Sequence, residues 1–528
     1  MPSKAMEHPT LPAHAPPDTA RGRRSNPWLT LIAVAIGLFM VNLDASVVAV
    51  ANPEIGRDLS ASTADLQWVT NAYLLAMAAA LILGGKLGDR FGRRTYYVIG
   101  TAGFTVASVA IGLSGSIEGV IAFRALQGLF AALLIPNTLG LLRAVFPPKK
   151  FGMAVGLWGM VAACSTALGP IVGGLLIEHV NWESVFYINL PIGIIVLIVS
   201  ALVLPQSKDS TGQHRFDVPG VILLALGLVA LVFGVVKGES WGWTSAGTLG
   251  ALAAGLVLLA AFGWYETRVA HPLLPMRLFR SPALTIGTVV TAINFFVLLG
   301  VIFFLMLYLQ NVRGLSAVEA GVYTLPLSLA TVVASPLGAA LTQRFGPRLS
   351  MPVGMLLQAL ASFWMLTWDA HSPYAALWPS FLALGLGVGM VLSASSDAIV
   401  GNAPPKDGGV AGGLQATALQ IGGALGTSVL ISLISARVGT TLTGELTGAG
   451  VPAALAQGFE NAEDAVSMGV SPVSDGMPAQ LKAAIIEGSG DAFMNGLHTA
   501  VLFTGALCVM GAVLAAVGLR GDSRAAGH

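Results

Sequence analysis

Two side chains in the 528-residue sequence stand out for what they could do to a proton. Asp44 lies well inside a long apolar run, and so does Arg124. A carboxylate left charged and alone in the hydrocarbon core of a membrane costs several kcal/mol, so it must face water, find a partner or take up a proton. Burial favours the neutral form of an acid and a neighbouring cation favours the ionised form. An acid balanced between those two influences is what proton-coupled transport requires. Asp44 stands about 16 residues, or ~24 Å, above the start of its run. Arg124 lies about 5 residues from the far start of its own run, which puts it ~22 Å up on the same scale. The two charges are therefore predicted partners at matching depth. Two other readings remain open: a structural Asp44 bonded to neighbouring helices, and an Arg124 that reaches outward to the headgroups.

A second group is a loop reading Gly85-Lys86-Leu87-Gly88-Asp89-Arg90-Phe91-Gly92-Arg93-Arg94. A carboxylate such as Asp89 can accept from a helix N-terminus and pair with Arg93 or Arg143. Gly85, Gly88 and Gly92 permit a tight turn and close helix approach.

The elements that must position these groups are legible in the composition. Hydrophobic residues make up 55% of the chain and charged residues 10%, against about 25% charged in a soluble domain. So few charges cannot cover the surface of a soluble protein of this size, which excludes a cytosolic enzyme and a disordered chain. A net charge of +1 provides no basic field for nucleic acid. Cys164 and Cys508, the two cysteines, lie in apolar runs, which excludes a disulfide framework and a thiolate metal site. Long apolar runs point to helices rather than to a barrel of short alternating strands.

At about 20 residues per crossing the sequence gives roughly fourteen spans. Their limits are near 27–51, 66–86, 95–115, 119–142, 151–178, 185–204, 216–237, 246–266, 283–310, 316–343, 350–368, 376–399, 408–436 and 496–520. With the N-terminus in the cytoplasm, 21 of the 27 basic residues fall inside. Arg57, Lys237, Arg313, Arg437 and Lys482 fall outside, and Arg124 lies within a span. That asymmetry follows the positive-inside rule and places both termini, residues 1–26 and 521–528, in the cytoplasm. Residues 437–495 are expected as a long acidic loop on the outside, with weakly helical spacing at Val451–Val466 and Pro478–Ile486.

The chain also repeats itself. Arg90-Phe91-Gly92-Arg93-Arg94 is echoed by Arg344-Phe345-Gly346-Pro347-Arg348, with Gln343 standing where the first copy has Asp89. Leu168-Gly169-Pro170 is echoed by Leu425-Gly426-Thr427. The expected organisation is a six-helix bundle over 27–204, an inserted two-helix linker over 205–270 and a second six-helix bundle over 271–520. Repeats of this kind belong to transporters that rock two halves about a central site.

The loop at 85–94 resembles the signature of the major facilitator superfamily. Leu43-Asp44-Ala45-Ser46-Val47-Val48-Ala49-Val50-Ala51-Asn52-Pro53 resembles the first-helix signature of its fourteen-helix drug:proton antiporter branch, with Ala49 and Asn52 departing from the commoner pattern. Arg124-Ala125-Leu126-Gln127-Gly128 is similar to the fourth-helix signature, and Gly169-Pro170-Ile171-Val172-Gly173-Gly174 to the antiporter signature of the fifth helix. Phe186-Tyr187-Ile188-Asn189-Leu190-Pro191-Ile192-Gly193 fits the branch as well, although Glu183 replaces its usual Arg. The resemblance implies an all-α polytopic membrane protein with the major facilitator fold: two six-helix bundles, an inserted pair and 14 transmembrane helices. It also implies a conformational latch at Gly85, Asp89, Arg90, Gly92, Arg93 and Arg143, and an export-associated motif at Gly169, Pro170, Gly173 and Gly174. Asn42, Asn71, Gln127, Asn137, Asn294 and Gln420 are candidate cavity-lining residues, although interhelical bonding is the commoner use of such groups. Asp397, near the end of its span, is read as a second protonatable site or an interfacial residue.

Three short matches lead elsewhere and fail. Gly112-Leu113-Ser114-Gly115 has no mid-membrane His to activate its serine, since His179 and His498 lie at span ends. Gly488-Ser489-Gly490-Asp491 has no partner Asp, and Gly385-Leu386-Gly387-Val388-Gly389 follows no strand. The expected activity is proton-driven export of amphipathic, drug-like molecules by a monomer in the cytoplasmic membrane. No enzymatic step, ATP, nucleic acid, metal or cofactor is expected, and the proton gradient is the energy source. The alternative is a narrow carrier on the same scaffold, either a self-resistance exporter for one antibiotic or a proton-linked importer.

Overall fold

The computed structural model describes residues 26–519, apart from 62, 207–216, 271, 316, 405–406, 460–461 and 475. The two tails and the start of the linker, with Lys208 and Arg215, lie outside the described residues. The described residues form helices: α1 (Pro27–Asp58), α2 (Thr63–Phe91), α3 (Arg93–Gly112), α4 (Ile117–Val145), α5 (Pro148–His179), α6 (Ser184–Tyr187), α7 (Asn189–Val203), α8 (Val218–Trp241) and α9 (Ala246–Glu266). They continue with α10 (Pro282–Leu307), α11 (Ala317–Tyr323), α12 (Leu325–Phe345), α13 (Pro347–Met365), α14 (Tyr374–Ser396), α15 (Gly408–Gly448), α16 (Ala453–Gln457), α17 (Glu463–Ser467) and α18 (Ala479–Gly518). Among the described residues, twelve stretches are long and apolar enough to cross a membrane. Two further helices, α5 with 32 residues and α13 with 19, occupy the other two expected spans.

Local sequence explains where the helices begin. Asn26, Ser116, Asp217, Ser245 and Ser281 each accept a backbone N–H of the first turn, satisfying a donor that would otherwise be orphaned. The repeated Arg-Phe-Gly performs one task twice. Gly92 (φ +118°) precedes α3 and Gly346 (φ +79°) precedes α13, and only a residue without a Cβ adopts such angles without strain.

The helix pairing repeats as well. In the first half α1 packs on α5 and α7, α2 on α4, and α3 on α4 and α7. In the second half α10 packs on α15 and α18, α12 on α14, and α13 on α14 and α18. Glycines set both versions. A Cβ on Gly128 would overlap the Tyr73 carbonyl, and one on Gly385 the Leu327 carbonyl. A Cβ on Gly169 would overlap Ser46, and one on Gly426 the Phe296 carbonyl. With lipid as apolar as Leu, close backbone approach of this kind is what holds helices together in a membrane. The inserted helices α8 and α9 pack on each other, and α8 also touches α2 and α15.

The two halves meet closely at the end that carries Asp89. Here α15 lies on α2 and α4, and α5 lies on α12 and α14. A Cβ on Gly85 would overlap the Gly409 carbonyl, one on Gly413 would stand 2.8 Å from the Leu81 carbonyl, and one on Gly412 2.9 Å from that of Pro136.

The segment expected as a loop over 437–495 differs. Helix α15 continues to Gly448 and α18 begins at Ala479, which leaves 449–478 as the connection, with α16 and α17 inside it. The reason is a buried stripe of Val438, Leu442 and Leu446, one turn apart, which meets Ile485 and Phe493 of α18 in one core. Those contacts support helix well past the length a bilayer needs.

Gly426→Ala is expected to lower the thermal unfolding midpoint in detergent, at a cost of about 1–3 kcal/mol for overpacking. Gly444→Ala, where nothing lies within 4 Å of the added carbon, should leave it unchanged or slightly raised.

Candidate functional site

Asp44 and Arg124 meet. Arg124 NH1 lies 2.7 Å from Asp44 Oδ2, and each residue is only 1% exposed. Arg124 therefore does not reach the headgroups, and Asp44 does not face an open chamber in this conformation. Two charges taken out of water need further hydrogen bonds as well as each other, and three helices supply them. Gln127, one turn along α4, donates to Asp44 Oδ1 at 3.0 Å and accepts from Arg124 NH1 at 2.6 Å. Asn189, the first residue of α7, donates to the same Asp44 oxygen at 2.7 Å and to Ser108 Oγ at 2.9 Å. On α2, Val69 accepts from Arg124 Nε at 3.2 Å, and the ring of Tyr73 lies 4.2 Å beneath the guanidinium.

Asn189 opens α7 directly after Ile188, whose angles stay helical (φ −58°, ψ −26°) between α6 and α7, and α7 packs on α1. Tyr187 donates to the Gly112 carbonyl and Ser108 donates to the Phe186 carbonyl, both into α3 or from it. The fifth-helix motif supports the same acid from the other side. Gly169 and Gly173 lie against Ser46 and Val47 of α1, two and three residues beyond Asp44, while Gly174 faces open space. Pro170 falls within α5, and its side chain is outside those described.

Asp89 builds a second constellation. Its Oδ1 accepts from Arg93 Nε at 2.7 Å and from the backbone N–H of Gly409 at 3.0 Å, and its Oδ2 accepts from Val410 N at 3.0 Å. Gly409 and Val410 open α15, so a first-half carboxylate caps a second-half helix where the helix dipole favours negative charge. Arg93 also donates to the Gly140 carbonyl at 3.2 Å. Arg143 crosses the halves separately, donating to the Gly401 carbonyl at 3.0 Å. That carbonyl closes a π-turn, Asp397–Gly401, which begins at Asp397. Arg90 lies over the ring of Phe91, 4.9 Å from its centroid.

The family pattern described as the Major Facilitator Superfamily matches residues 34–427. The chain belongs to this superfamily. It is 44% identical over 517 residues, 98% of this chain and 95% of the relative, to the tetracenomycin C resistance and export protein of Streptomyces glaucescens. It is 31% identical, over 93% of this chain and 96% of the relative, to the multidrug efflux pump LfrA of Mycolicibacterium smegmatis. The human organic anion transporter MFSD10 (TETRAN) shares the fold, with a TM-score of 0.59 at 14% identity, covering 94% of this chain and 100% of that one. The chain is thus a multi-pass membrane protein of a transporter superfamily, with relatives named for drug and antibiotic resistance.

Within this superfamily member the six candidate cavity residues separate. Gln127 belongs to the ion-pair network. Asn137 is enclosed, donating to the Gly84 and Leu133 carbonyls, and Asn294 is enclosed, accepting from Gln358 at 2.8 Å. Both bind helices together rather than line a space, because each is buried where two backbones run close. Asn42, Asn71 and Gln420 are half-buried, and the Asn42 amide donates back to the Leu38 carbonyl. Asn189 and Tyr73 stand at Asp44 and Arg124, although neither is among the site residues expected from the sequence. The Asn189-Leu190-Pro191 stretch was the available signal.

Asn189→Leu keeps the branched outline of the side chain and removes two hydrogen bonds, one to a buried anion and one to Ser108. It should cost about 1–3 kcal/mol, read as a lower unfolding midpoint in lipid nanodiscs. Asp89→Asn should speed hydrogen exchange at residues 409–410 by about tenfold or more, in line with the roughly 1.5–3 kcal/mol carried by a hydrogen bond to a charged group.

Proposed function

We propose that this protein exports amphipathic drug-like or antibiotic molecules across the cytoplasmic membrane in exchange for protons, by alternating access. The observation that carries the reading is the carboxylate of Asp44, buried among the first-half helices and paired with an arginine that stays charged at every physiological pH. Ionised, the pair sums to zero. Once Asp44 is protonated the ionic attraction ends, and Arg124 keeps only the neutral partners Val69, Gln127 and Tyr73. The contact between α1 and α4 weakens in consequence. Helix α1 bears on α5 through Gly169 and Gly173, and α5 bears on α12 and α14 of the second half. A proton at Asp44 thereby reaches the surface along which the halves move.

In the same reading Asp89 and its cap on α15 hold the halves together at the cytoplasmic end until the cycle releases them. Both termini are cytoplasmic, the unit is a monomer, and the proton gradient replaces ATP. A narrower reading has its own support. The relative that matches 98% of this chain is named for a single compound, which favours a self-resistance exporter for one antibiotic over a broad pump.

In proteoliposomes, Asp44→Asn should reduce export driven by an imposed pH gradient to the rate of protein-free vesicles, with substrate binding retained. Undiminished gradient-driven export by this variant, at equal reconstitution, would remove proton coupling from Asp44. A susceptibility panel in an efflux-deficient host separates the two substrate readings. Protection against many unrelated compounds marks a broad pump, and protection against one marks a dedicated exporter.

A further inference from the structure

The inserted helix pair contains two acids that the transport reading does not use. Asp217 precedes α8 and Glu266 ends α9, and they are 9% and 3% exposed. Each carboxyl is half satisfied. Asp217 Oδ1 accepts from Gly220 N at 2.9 Å, capping α8. Glu266 Oε2 accepts from Leu274 N at 3.1 Å. The other two oxygens, Asp217 Oδ2 and Glu266 Oε1, are buried with no donor in good hydrogen-bond geometry among the described residues, although the Tyr265 hydroxyl approaches Asp217 and the Leu273 N–H approaches Glu266. Both oxygens lie 2.5 Å from the point where a Cβ on Gly220 would stand, so they occupy one space that the glycine leaves open and are within about 5 Å of each other.

Two facing acceptor oxygens repel each other, and a buried acceptor left unsatisfied costs about 1–3 kcal/mol. One hydrogen between them meets both demands, because a protonated carboxyl donates and an ionised one accepts. Like carboxylates at close range do not both ionise. Among the described residues, the cations nearby are otherwise engaged. Lys86 of α2 donates to the Pro272 carbonyl at 3.0 Å, Arg268 lies over Trp264, and Arg277 pairs with Asp407 at 2.9 Å. Tyr265 of α9 stands beside Asp217.

We propose that Asp217 and Glu266 share a single proton and form a second proton-binding site, separate from Asp44. The site sits on a joint. Glu266 holds Leu274, and Lys86 near the end of α2 holds Pro272, so the connector between the inserted pair and the second half is gripped from both sides. Loss of the shared proton puts two like charges in one enclosed space and loosens that grip.

Infrared difference spectroscopy of the full chain in lipid nanodiscs tests this near neutral pH. One protonated-carboxyl C=O band is expected in the wild type, and the same band should vanish in both Glu266→Gln and Asp217→Asn. In either variant the new amide N–H takes the place of the shared proton and the remaining acid ionises. A band lost in only one variant indicates a lone protonated acid, and no loss in either indicates no held proton; both outcomes overturn the proposal. As a second measurement, the unfolding midpoint of the wild type should fall as pH rises above neutrality, while that of Glu266→Gln stays level. A midpoint that responds to added sodium or magnesium instead of pH would assign the space to a metal cation and overturn the shared proton.

Discussion

A carboxylate and a guanidinium removed from water must satisfy each other almost completely. That requirement fixes much of the first half of this protein. Asp44 accepts from Arg124, Gln127 and Asn189, while Arg124 is also held by Val69 and the Tyr73 ring. Four helices, α1, α2, α4 and α7, must keep their relative heights for those bonds to exist. The glycines that bring α1 to α5 and α2 to α4 set the separations at which short polar side chains can reach across. Removing one partner of a buried ion pair costs about 3–5 kcal/mol, so the network stabilises the bundle and is also its most sensitive point.

Asp89 solves a different problem with the same group. It lies across the boundary between the halves and neutralises the start of α15, where backbone N–H groups lack partners. A helix that begins against a foreign carboxylate has its end held by the other half of the molecule. The repeat does not restore symmetry here, since Gln343 takes the equivalent place, and its amide lies toward α5 near Gly152. The closure at this end therefore rests on one carboxylate and on Arg143, which donates to the Gly401 carbonyl, together with glycine-lined contacts.

Much of this was legible in the sequence because depth along a helix is linear. Counting residues from two span ends put Asp44 and Arg124 at one height, and they touch. The Arg-Phe-Gly repeat was visible as a repeat, and both copies place a glycine at positive φ between two helices, Gly92 and Gly346, because the local requirement travels with the motif. What the sequence concealed depends on breaks and crossings. Asn189 lies 145 residues from Asp44 in the chain, and only the packing of α7 on α1 brings them together. Asn137 and Asn294 look like cavity residues by type and depth, but are enclosed because two backbones run close beside them. The segment 437–495 reads as a polar loop because its apolar stripe is narrow, and it becomes helix once α15 and α18 have each other to bury it against. Asp217 and Glu266 lie far apart in the chain, and only the hairpin of α8 and α9 brings them together.

The length of α15 has a mechanical corollary. Its 41 residues span ~60 Å at 1.5 Å per residue, about twice the ~30 Å hydrocarbon thickness. Paired with the 40-residue α18, it makes a stiff mast rooted among the membrane helices. A tilt of about 10° at its base would sweep a tip ~30 Å farther on through ~5 Å, by the same rise per residue. The small lobe of α16 and α17 packs along its side, with Glu463 of α17 against Gly439, short of the tip. Its other edge meets the residues just after α10, where Asn311 donates to the Met468 carbonyl, so a swing of the mast would pull directly on that bond.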